Sequence, residues 1–401
     1  MKLSAIVRIT DPEACLVKIY GLTILERTLR ALERAGVGMA VLVTDSPEPI
    51  RKRLQKEDPF TLKIAFEKDS ASALATISGP YFWIAEPLVI EPNLLKEMGE
   101  ESREKGAPVG TTDARVFFFG EKIQSLPIES FEKQPGATLK KAGISFIEKK
   151  TEGRVYGVVR DKDSRRQIEK MLIRSLTKPT DGWVSRHLNR PISTTISRVL
   201  AHTPITPNQF TILTGFIGLA TGFFLARGGY WNYLIGGALF HLTSVLDGVD
   251  GELARLKFKS SPFGQWLDTL VDNLSYLAGL GGIVYGVYVH GAPEFVRLSG
   301  LLAVVFAVLA LGSLYFYLLR FKAGGTLLNV QYSFQNGTST FDKIMRGAAL
   351  FGKRDLFALI FFILGIFGLM PFALTYVAIM AFFILAFSIQ AHLKGAPQQA
   401  Q

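Results

Sequence analysis

An acidic motif near the middle of the second half decides the fold there: Asp247-Gly-Val-Asp250-Gly251-Glu-Leu-Ala254-Arg255, then eight residues, then Gly264-Gln-Trp-Leu-Asp268-Thr-Leu-Val-Asp272. Asp247 and Asp250 are three residues apart, and Asp268 and Asp272 are four apart, so each pair shares one face of a helix. The short segment 256–263 makes the two helices antiparallel neighbours. We therefore expect the four carboxylates to converge in one polar pocket.

Such a cluster is costly beside hydrocarbon, because ionised carboxylates repel one another and lose hydration. The flanking residues are apolar, which argues against four solvated loop acids: Leu242, Val245, Leu246, Leu267, Leu270 and Val271. A divalent cation removes the conflict. Because all the ligands are oxygens, the motif favours Mg²⁺, Mn²⁺ or Ca²⁺ over zinc.

The composition divides the chain into two unlike halves. The 401 residues carry a net charge of +11 and are 48% hydrophobic, with a mean hydropathy of +0.26. Residues 1–200 hold 33 of the 45 Lys and Arg and 26 of the 34 Asp and Glu, which leaves 12 and 8 for residues 201–401. This predicts a soluble domain followed by a membrane domain. It excludes a disordered chain, and the lone Cys15 excludes a disulfide scaffold.

The second half contains six apolar stretches of the length that crosses a bilayer as a helix, about 20 residues. They are residues 209–227, 231–253, 265–288, 297–319, 355–370 and 372–391, the last two meeting at Met370–Pro371. Nine Lys and Arg lie in the loops of one side, against Arg227 and Arg297 on the other. This excess of Lys and Arg on one side predicts a multi-pass cell-membrane protein whose termini, soluble domain and acidic pocket face the cytoplasm. Residues 187–202 are predicted to form an amphipathic helix on the inner leaflet.

The first half alternates strand-like and helix-like segments, as in an α/β domain with a mostly parallel sheet. The segments are residues 3–9, 24–35, 39–44, 49–55, 62–66 and 81–84. We predict four regions along the chain: an α/β domain over 1–175, a linker and juxtamembrane helix over 176–205, an all-α six-helix membrane domain over 206–393, and a polar tail over 394–401. The basic excess fits an anionic lipid surface. The sequence contains no basic stripe interleaved with aromatic residues, so we do not expect a nucleic-acid partner.

The spacing D-x2-D-G-x2-A-R-x8-G-x3-D-x3-D resembles the signature of the CDP-alcohol phosphotransferase family, over roughly residues 176–391. The resemblance implies a homodimeric enzyme of six membrane helices. It would transfer a phosphoalcohol from a CDP-alcohol to an acceptor hydroxyl and release CMP. Asp247, Asp250 and Asp268 would bind metal, and Asp272 would be the general base and also touch the metal. The CDP contacts would be Asn208, Thr211, Asp247, Gly251, Ala254, Arg255 and Gly264.

The acceptor side offers two interpretations. Arg320, Lys322, Lys353 and Arg354 either anchor inner loops or bind the phosphate of a phosphorylated acceptor. The stretch 178–193 resembles the archaeal branch that makes di-myo-inositol-phosphate phosphate, which implies CDP-inositol as donor and an inositol phosphate as acceptor. A lipid alcohol is the other acceptor class considered.

Residues 22–37 resemble the first helix of sugar-nucleotide cytidylyltransferases. That family has a glycine-rich loop after the first strand, whereas residues 8–13 contain no glycine and Pro12 lacks an amide hydrogen. Lys18 matches the family's lysine, but Glu86 stands where an aspartate is expected. We predict an inactive scaffold domain.

Three alternatives stay open. The first is a bifunctional enzyme that also makes its own CDP-inositol. The second is a divalent-cation transporter, since carboxylates within membranes often line ion paths. The third is a nucleotide-sensing protein whose membrane site is inactive.

Overall fold

The computed structural model describes residues 3–121, 127–178, 181–321, 339–340, 347 and 352–394. The chain divides into two compact units. Unit 1 comprises residues 1–176 with 201–203 and 256–258, and unit 2 comprises 177–200, 204–255 and 259–401.

Unit 1 contains a seven-stranded sheet with the strand order β10-β8-β9-β6-β1-β4-β5. β9 pairs antiparallel with both of its neighbours, and every other pairing in this sheet is parallel. The prediction of an α/β domain with a mostly parallel sheet is confirmed. The strands are β1 Ser4–Arg8, β2 Lys18–Ile19, β3 Leu22–Thr23, β4 Met39–Val43, β5 Lys63–Glu67, β6 Tyr81–Ile84, β7 Val89–Ile90, β8 Val109–Thr111, β9 Val116–Phe119, β10 Ile147–Lys149 and β11 Tyr156–Gly157.

Helices cover the central strands, whose residues are apolar on both faces as expected for a parallel sheet. Helix α2 begins after Thr23, whose hydroxyl accepts a hydrogen bond from the amide of Glu26, and it buries Leu25, Leu29 and Leu32 along one face. The helices of this unit are α1 Pro12–Cys15, α2 Ile24–Arg34, α3 Pro47–Leu54, α4 Ser70–Thr76, α5 Pro92–Lys105, α6 Ile128–Lys133, α7 Pro135–Lys141 and α8 Lys162–Arg174.

All the regular secondary structure among the described residues of unit 2 is helical. A π-helical turn over Ser185–Asn189 leads directly into α9, in the region where an amphipathic helix is predicted. A short 3₁₀ turn, Met370–Phe372, follows a bend at Gly368 and separates the last two helices. The helices are α9 Arg190–Leu200, α10 Pro207–Arg227, α11 Tyr230–Leu256, α12 Pro262–Val289, α13 Glu294–Phe321, α14 Arg354–Ile366 and α15 Ala373–Lys394.

Four segments of the described residues are helical, long and apolar enough to cross a membrane: Pro207–Arg227, Pro262–Val289, Glu294–Tyr317 and Met370–His392. The predicted count of six is therefore not confirmed. Helix α11 has 27 residues but carries the acids and Arg255 at its C-terminal end. Helix α14 has only 13 residues and is about 20 Å long, which is short for a complete crossing.

Glycines bring α10 and α12 into backbone contact. A Cβ atom added to Gly282 would lie 2.3 Å from the carbonyl oxygen of Gly222, and one added to Gly286 would lie 2.6 Å from that of Leu225. Small residues permit this close approach between helices in lipid. The contact sets α10 beside the helix that carries Asp268 and Asp272.

Candidate metal and nucleotide site

Three of the predicted carboxylates converge. Asp247 comes from α11, and Asp268 and Asp272 come from successive turns of α12. One carboxylate oxygen of each residue lies within 4.8 Å of the others. The side chains of Asp247 and Asp272 are 33% and 25% exposed, so the cluster is open to a ligand on one side.

Asp250 is the most enclosed of the four acids, with 8% of its surface exposed. Its carboxylate accepts a 2.6 Å hydrogen bond from the hydroxyl of Thr211 on α10 and another from the amide of Gly251. Thr211, which the family resemblance assigns to the nucleotide, therefore contacts Asp250 directly. This bond orients the fourth carboxylate from a neighbouring helix.

Arg354 joins the acidic cluster. Its Nη1 atom lies 2.6 Å from Oδ1 of Asp247 and 2.7 Å from Oδ2 of Asp272. The guanidinium carbon lies 5.2 Å from the centre of the Tyr276 ring, one turn beyond Asp272. Arg354, the first residue of α14, thus bridges α11 and α12 through two carboxylates. Both contacts are charge-assisted hydrogen bonds, which are strong and geometrically specific.

The donor set fits a hard divalent cation. The motif supplies four carboxylates, two of which contact the guanidinium of Arg354, so three negative charges are not balanced by that guanidinium when all four acids are ionised. Carboxylate oxygens are the ligands that hard divalent cations prefer. Asp247, Asp268 and Asp272 therefore could hold a metal ion.

The residues assigned to the nucleotide lie at the same ends of the helices. A Cβ atom on Gly264 would lie 3.0 Å from Oδ1 of Asn208, so the starts of α10 and α12 adjoin here. A Cβ atom on Gly251 would lie 3.5 Å from Nη1 of Arg255, and Ala254 between them is half-buried. Neither glycine has a side chain of its own, so a ligand can approach the helix backbone closely at both positions, beside Asn208 and Arg255.

The four cations assigned to the acceptor are not equivalent. Arg354 contacts the carboxylates, whereas Arg320 and Lys353 are exposed. Lys322 lies outside the described residues. Arg354 begins α14, and its two carboxylate partners are 82 and 107 positions away, so no local pattern identifies them.

Two further acids of unit 2 have partners that sequence reasoning missed. Glu252, inside the motif, is fully buried and accepts hydrogen bonds from Arg190, Ser193 and Ser197 of α9. Asp355 accepts a 2.7 Å hydrogen bond from the amide of Ser185. The sequence signal that was available for Glu252 is an acid at a position that the motif leaves variable, within a largely apolar helix.

Unit 1 contains a cavity of about 270 Å³ at the carboxyl ends of β1 and β6. Asp11 accepts hydrogen bonds from the amides of Glu13 and Ala14, so its carboxylate occupies the amides that follow β1. Glu86 pairs with Arg160 and Arg115. The cavity is lined by Thr10, Asp11, Ala14, Cys15, Ile24, Glu86, Pro87, Val158, Val159 and Arg160.

Cys15, the single cysteine, is 3% exposed in that cavity wall. Burial, reinforced by the negative charge of Asp11, raises the pKa of its thiol to about 12. The thiol therefore stays protonated near neutral pH and is a poor nucleophile.

Comparisons with known proteins agree with the geometry of the second half. Residues 204–389 match the CDP-alcohol phosphatidyltransferase family. The chain is 26% identical over 342 residues to the bifunctional IPC transferase and DIPP synthase of Thermococcus kodakarensis, covering 72% of this chain and 76% of that one. It is 27% identical over 311 residues to the protein of the same description from Aquifex aeolicus, covering 67% and 71%.

Among solved structures, a 4-diphosphocytidyl-2C-methyl-D-erythritol synthase from Anaerococcus prevotii matches 43% of this chain and 98% of its own. The identity is 14% and the TM-score 0.32.

Proposed function

We propose a specific reaction for this chain, whose residues 204–389 belong to the CDP-alcohol phosphatidyltransferase family. The chain is a transferase that acts on CDP-alcohols. The proposed reaction is transfer of phosphoinositol from CDP-inositol to an inositol phosphate, with release of CMP. The observation that carries the proposed mechanism is the convergence of Asp247, Asp268 and Asp272 beside Arg354.

The acids of α11 and α12 would hold the metal, and Mg²⁺ is the ion we propose because it retains coordination positions for phosphates. When bound, such an ion neutralises the donor diphosphate and the leaving CMP. Thr211 fixes the rotamer of Asp250, and the bare backbone at Gly251 and Gly264 admits the cytidine. Asn208 and Arg255 would contact the donor as it lies between those glycines.

Asp272 would be the general base. It accepts the proton of the acceptor hydroxyl while that oxygen attacks the β-phosphorus in line. A new phosphorus–oxygen bond forms to the acceptor, and the bond to the oxygen that bridges the two phosphates breaks. CMP leaves with that electron pair, and the proton remains on Asp272 until solvent removes it. Only the carboxylate form of Asp272 can take this role.

Arg354 would bind the acceptor phosphate after exchanging its partners. One guanidinium nitrogen contacts both Asp247 and Asp272 in this structure. Those carboxylates are also proposed metal ligands, so metal binding would free donor groups of Arg354 for an anion. Arg320 and Lys353 would add positive charge for the acceptor, and we propose the same for Lys322, which lies outside the described residues. Binding of labelled inositol phosphate that survives Arg320→Ala together with Arg354→Ala would contradict this assignment.

The membrane setting follows from the apolar helices and the family. We propose a multi-pass protein with unit 1 and the acidic site on the cytoplasmic side, because Lys and Arg concentrate in the loops of that side. We also propose a homodimer, as the family resemblance implies. Cysteine-accessibility labelling of single-cysteine variants in sealed vesicles tests the orientation, and crosslinking in native membranes tests the dimer.

Unit 1 is proposed to be catalytically silent, although the relatives named above are described as bifunctional. Asp11 blocks the amides after β1 with a carboxylate, which repels a triphosphate, and Glu86 is neutralised by two arginines. Exchange of labelled pyrophosphate into CTP by the full chain with inositol phosphate tests this. Measurable exchange that Glu86→Ala abolishes would restore the bifunctional alternative.

The decisive experiment measures CMP release by the purified full chain in detergent or liposomes. It is offered a panel of CDP-alcohols with inositol phosphate, glycerol phosphate or lipid alcohols as acceptors, with Mg²⁺ or with EDTA. We expect release only with metal, and fastest with CDP-inositol plus inositol phosphate. Metal flux into liposomes without release would instead support the transporter. CDP binding without release under any acceptor would support the sensor.

A further inference from the structure

The buried acid Glu252 docks the active-site helix α11 onto α9. Its Oε1 atom lies 2.5 Å from Nη1 of Arg190 and 2.8 Å from the hydroxyl of Ser193. Its Oε2 atom lies 2.6 Å from the hydroxyl of Ser197. Glu252 and Ser197 are 0% exposed, and Ser193 is 1% exposed. Both oxygens of a fully buried carboxylate are therefore satisfied by three side chains of one helix.

Arg190 also forms an ion pair with a second acid, Asp181. Its Nε and Nη2 atoms donate hydrogen bonds of 2.8 and 2.9 Å to the two carboxylate oxygens of Asp181. This planar, two-pronged contact is the geometry that a guanidinium provides and a lysine cannot. Asp181 also accepts a 2.8 Å hydrogen bond from the amide of Lys178. Asp181, Arg190 and Glu252 thus form a continuous ionic chain inside unit 2.

Glycine at position 248 makes room for this chain. A Cβ atom there would lie 2.9 Å from Nη1 of Arg190 and 3.4 Å from Oε1 of Glu252. At 3.6 residues per turn, Glu252 is about 200° around the helix from Asp250 and about 140° from Asp247. Helix α11 therefore has two different faces. One carries the carboxylates of the site, and the other, at Gly248 and Glu252, packs against α9.

We propose that Glu252 and Arg190 are positioning residues, which set the rotation and register of α11 so that Asp247 and Asp250 face the metal and donor. Breaking one partner of a buried pair leaves an uncompensated charge, which is far costlier than the pair itself. Any rotation or slide of α11 would break this pair, so the pair penalises misalignment of the site. The proposal rests on the proposed function for what the site binds, but not for the alignment itself.

The test compares Glu252→Gln, Arg190→Lys and Ser197→Ala with a control on the opposite face of α9. Thr195→Ala is that control, because its hydroxyl is exposed and bonds to the carbonyl of Pro191, one turn earlier in the same helix. The probes are Mn²⁺, followed by the free-ion signal in electron paramagnetic resonance, and CDP, followed by the shift of the melting temperature. Kinetic measurements separate the KM values of donor and acceptor.

Loss of a side chain that hydrogen-bonds a metal ligand costs about 10- to 100-fold in metal affinity. Glu252 acts on the ligands only through the position of the helix, so its effect should lie at the lower end of that range. We expect Mn²⁺ binding about tenfold weaker in Glu252→Gln and Arg190→Lys, a raised donor KM and an unchanged acceptor KM. Ser197→Ala, which keeps the ion pair and so preserves the fold, should weaken Mn²⁺ about threefold. Thr195→Ala should match the wild type.

The proposal would be overturned if folded Ser197→Ala and Glu252→Gln had a lower melting temperature but unchanged Mn²⁺ affinity and an unchanged CDP shift. That result would show that the network only stabilises the fold. If the wild type releases no CMP but the variants still lose Mn²⁺, the proposed function fails and the positioning role stands.

Discussion

Substitution of Gly282 by alanine tests whether the close contact of α10 and α12 sets the geometry of the site. The new Cβ atom would lie 2.3 Å from the carbonyl oxygen of Gly222 and 3.0 Å from that residue's Cα and carbonyl carbon. Since ordinary contacts begin near 3.4 Å, the helices must separate by about 1 Å, and such a gap forfeits a quarter to a half of each dispersion contact. Overpacking of this kind costs about 1–3 kcal/mol.

The neighbouring Gly281 provides a matched control, because a Cβ atom added there meets nothing within 4 Å. Gly281→Ala should be neutral or slightly stabilising, since alanine is the better helix former. For Gly282→Ala we expect the melting temperature in detergent to fall by about 2–12 °C. Mn²⁺ affinity should fall with it, because Thr211 on α10 orients Asp250 on α11, while α12 carries Asp268 and Asp272.

Differential scanning fluorimetry of both variants in the same detergent, with Mn²⁺ titrated in each, is the assay. Equal melting temperatures for Gly281→Ala and Gly282→Ala would refute the close packing of α10 and α12. A drop in melting temperature with unchanged Mn²⁺ affinity would show that this packing does not align the acids.

Three further outcomes are expected. Asp272→Asn should abolish turnover and retain CDP binding, whereas Asp247→Asn should lose Mn²⁺ and CDP together; turnover near the wild-type rate in Asp272→Asn would remove that residue from the mechanism. EDTA should stop CMP release, and added Mg²⁺ should restore it. Burial, with the negative charge of Glu57 next, raises the pKa of Glu26 to about 7, so its contribution to stability is complete below its ordinary pKa of 4.5 and is lost as the pH rises through 7. Glu26→Gln should therefore slow hydrogen exchange of residues 24–57 at pH 8 and leave it unchanged at about pH 4, below the ordinary pKa, and equal effects at both values would contradict this.

Several parts of the fold were predictable because their causes are local. The apolar runs of the second half and the alternating segments of the first follow from neighbouring residues, and β6 falls at its predicted bounds of 81–84. The other predicted segments of the first half differ from the observed elements by at most two residues at an end, whereas five of the six predicted membrane helices differ by three or four residues at one end. The count of membrane helices was less certain, because α11 mixes apolar and acidic turns and α14 is short.

Residue spacing alone determined that Asp247, Asp250, Asp268 and Asp272 lie in pairs on two helices, because helical periodicity is a property of a few consecutive residues. Only the tertiary structure decided their partners: Thr211 for Asp250, Arg354 for Asp247 and Asp272, and α9 for Glu252. It also decided the strand order of the sheet. These contacts join residues 39 to 107 positions apart, and they depend on which helix faces pack together, which no local pattern records.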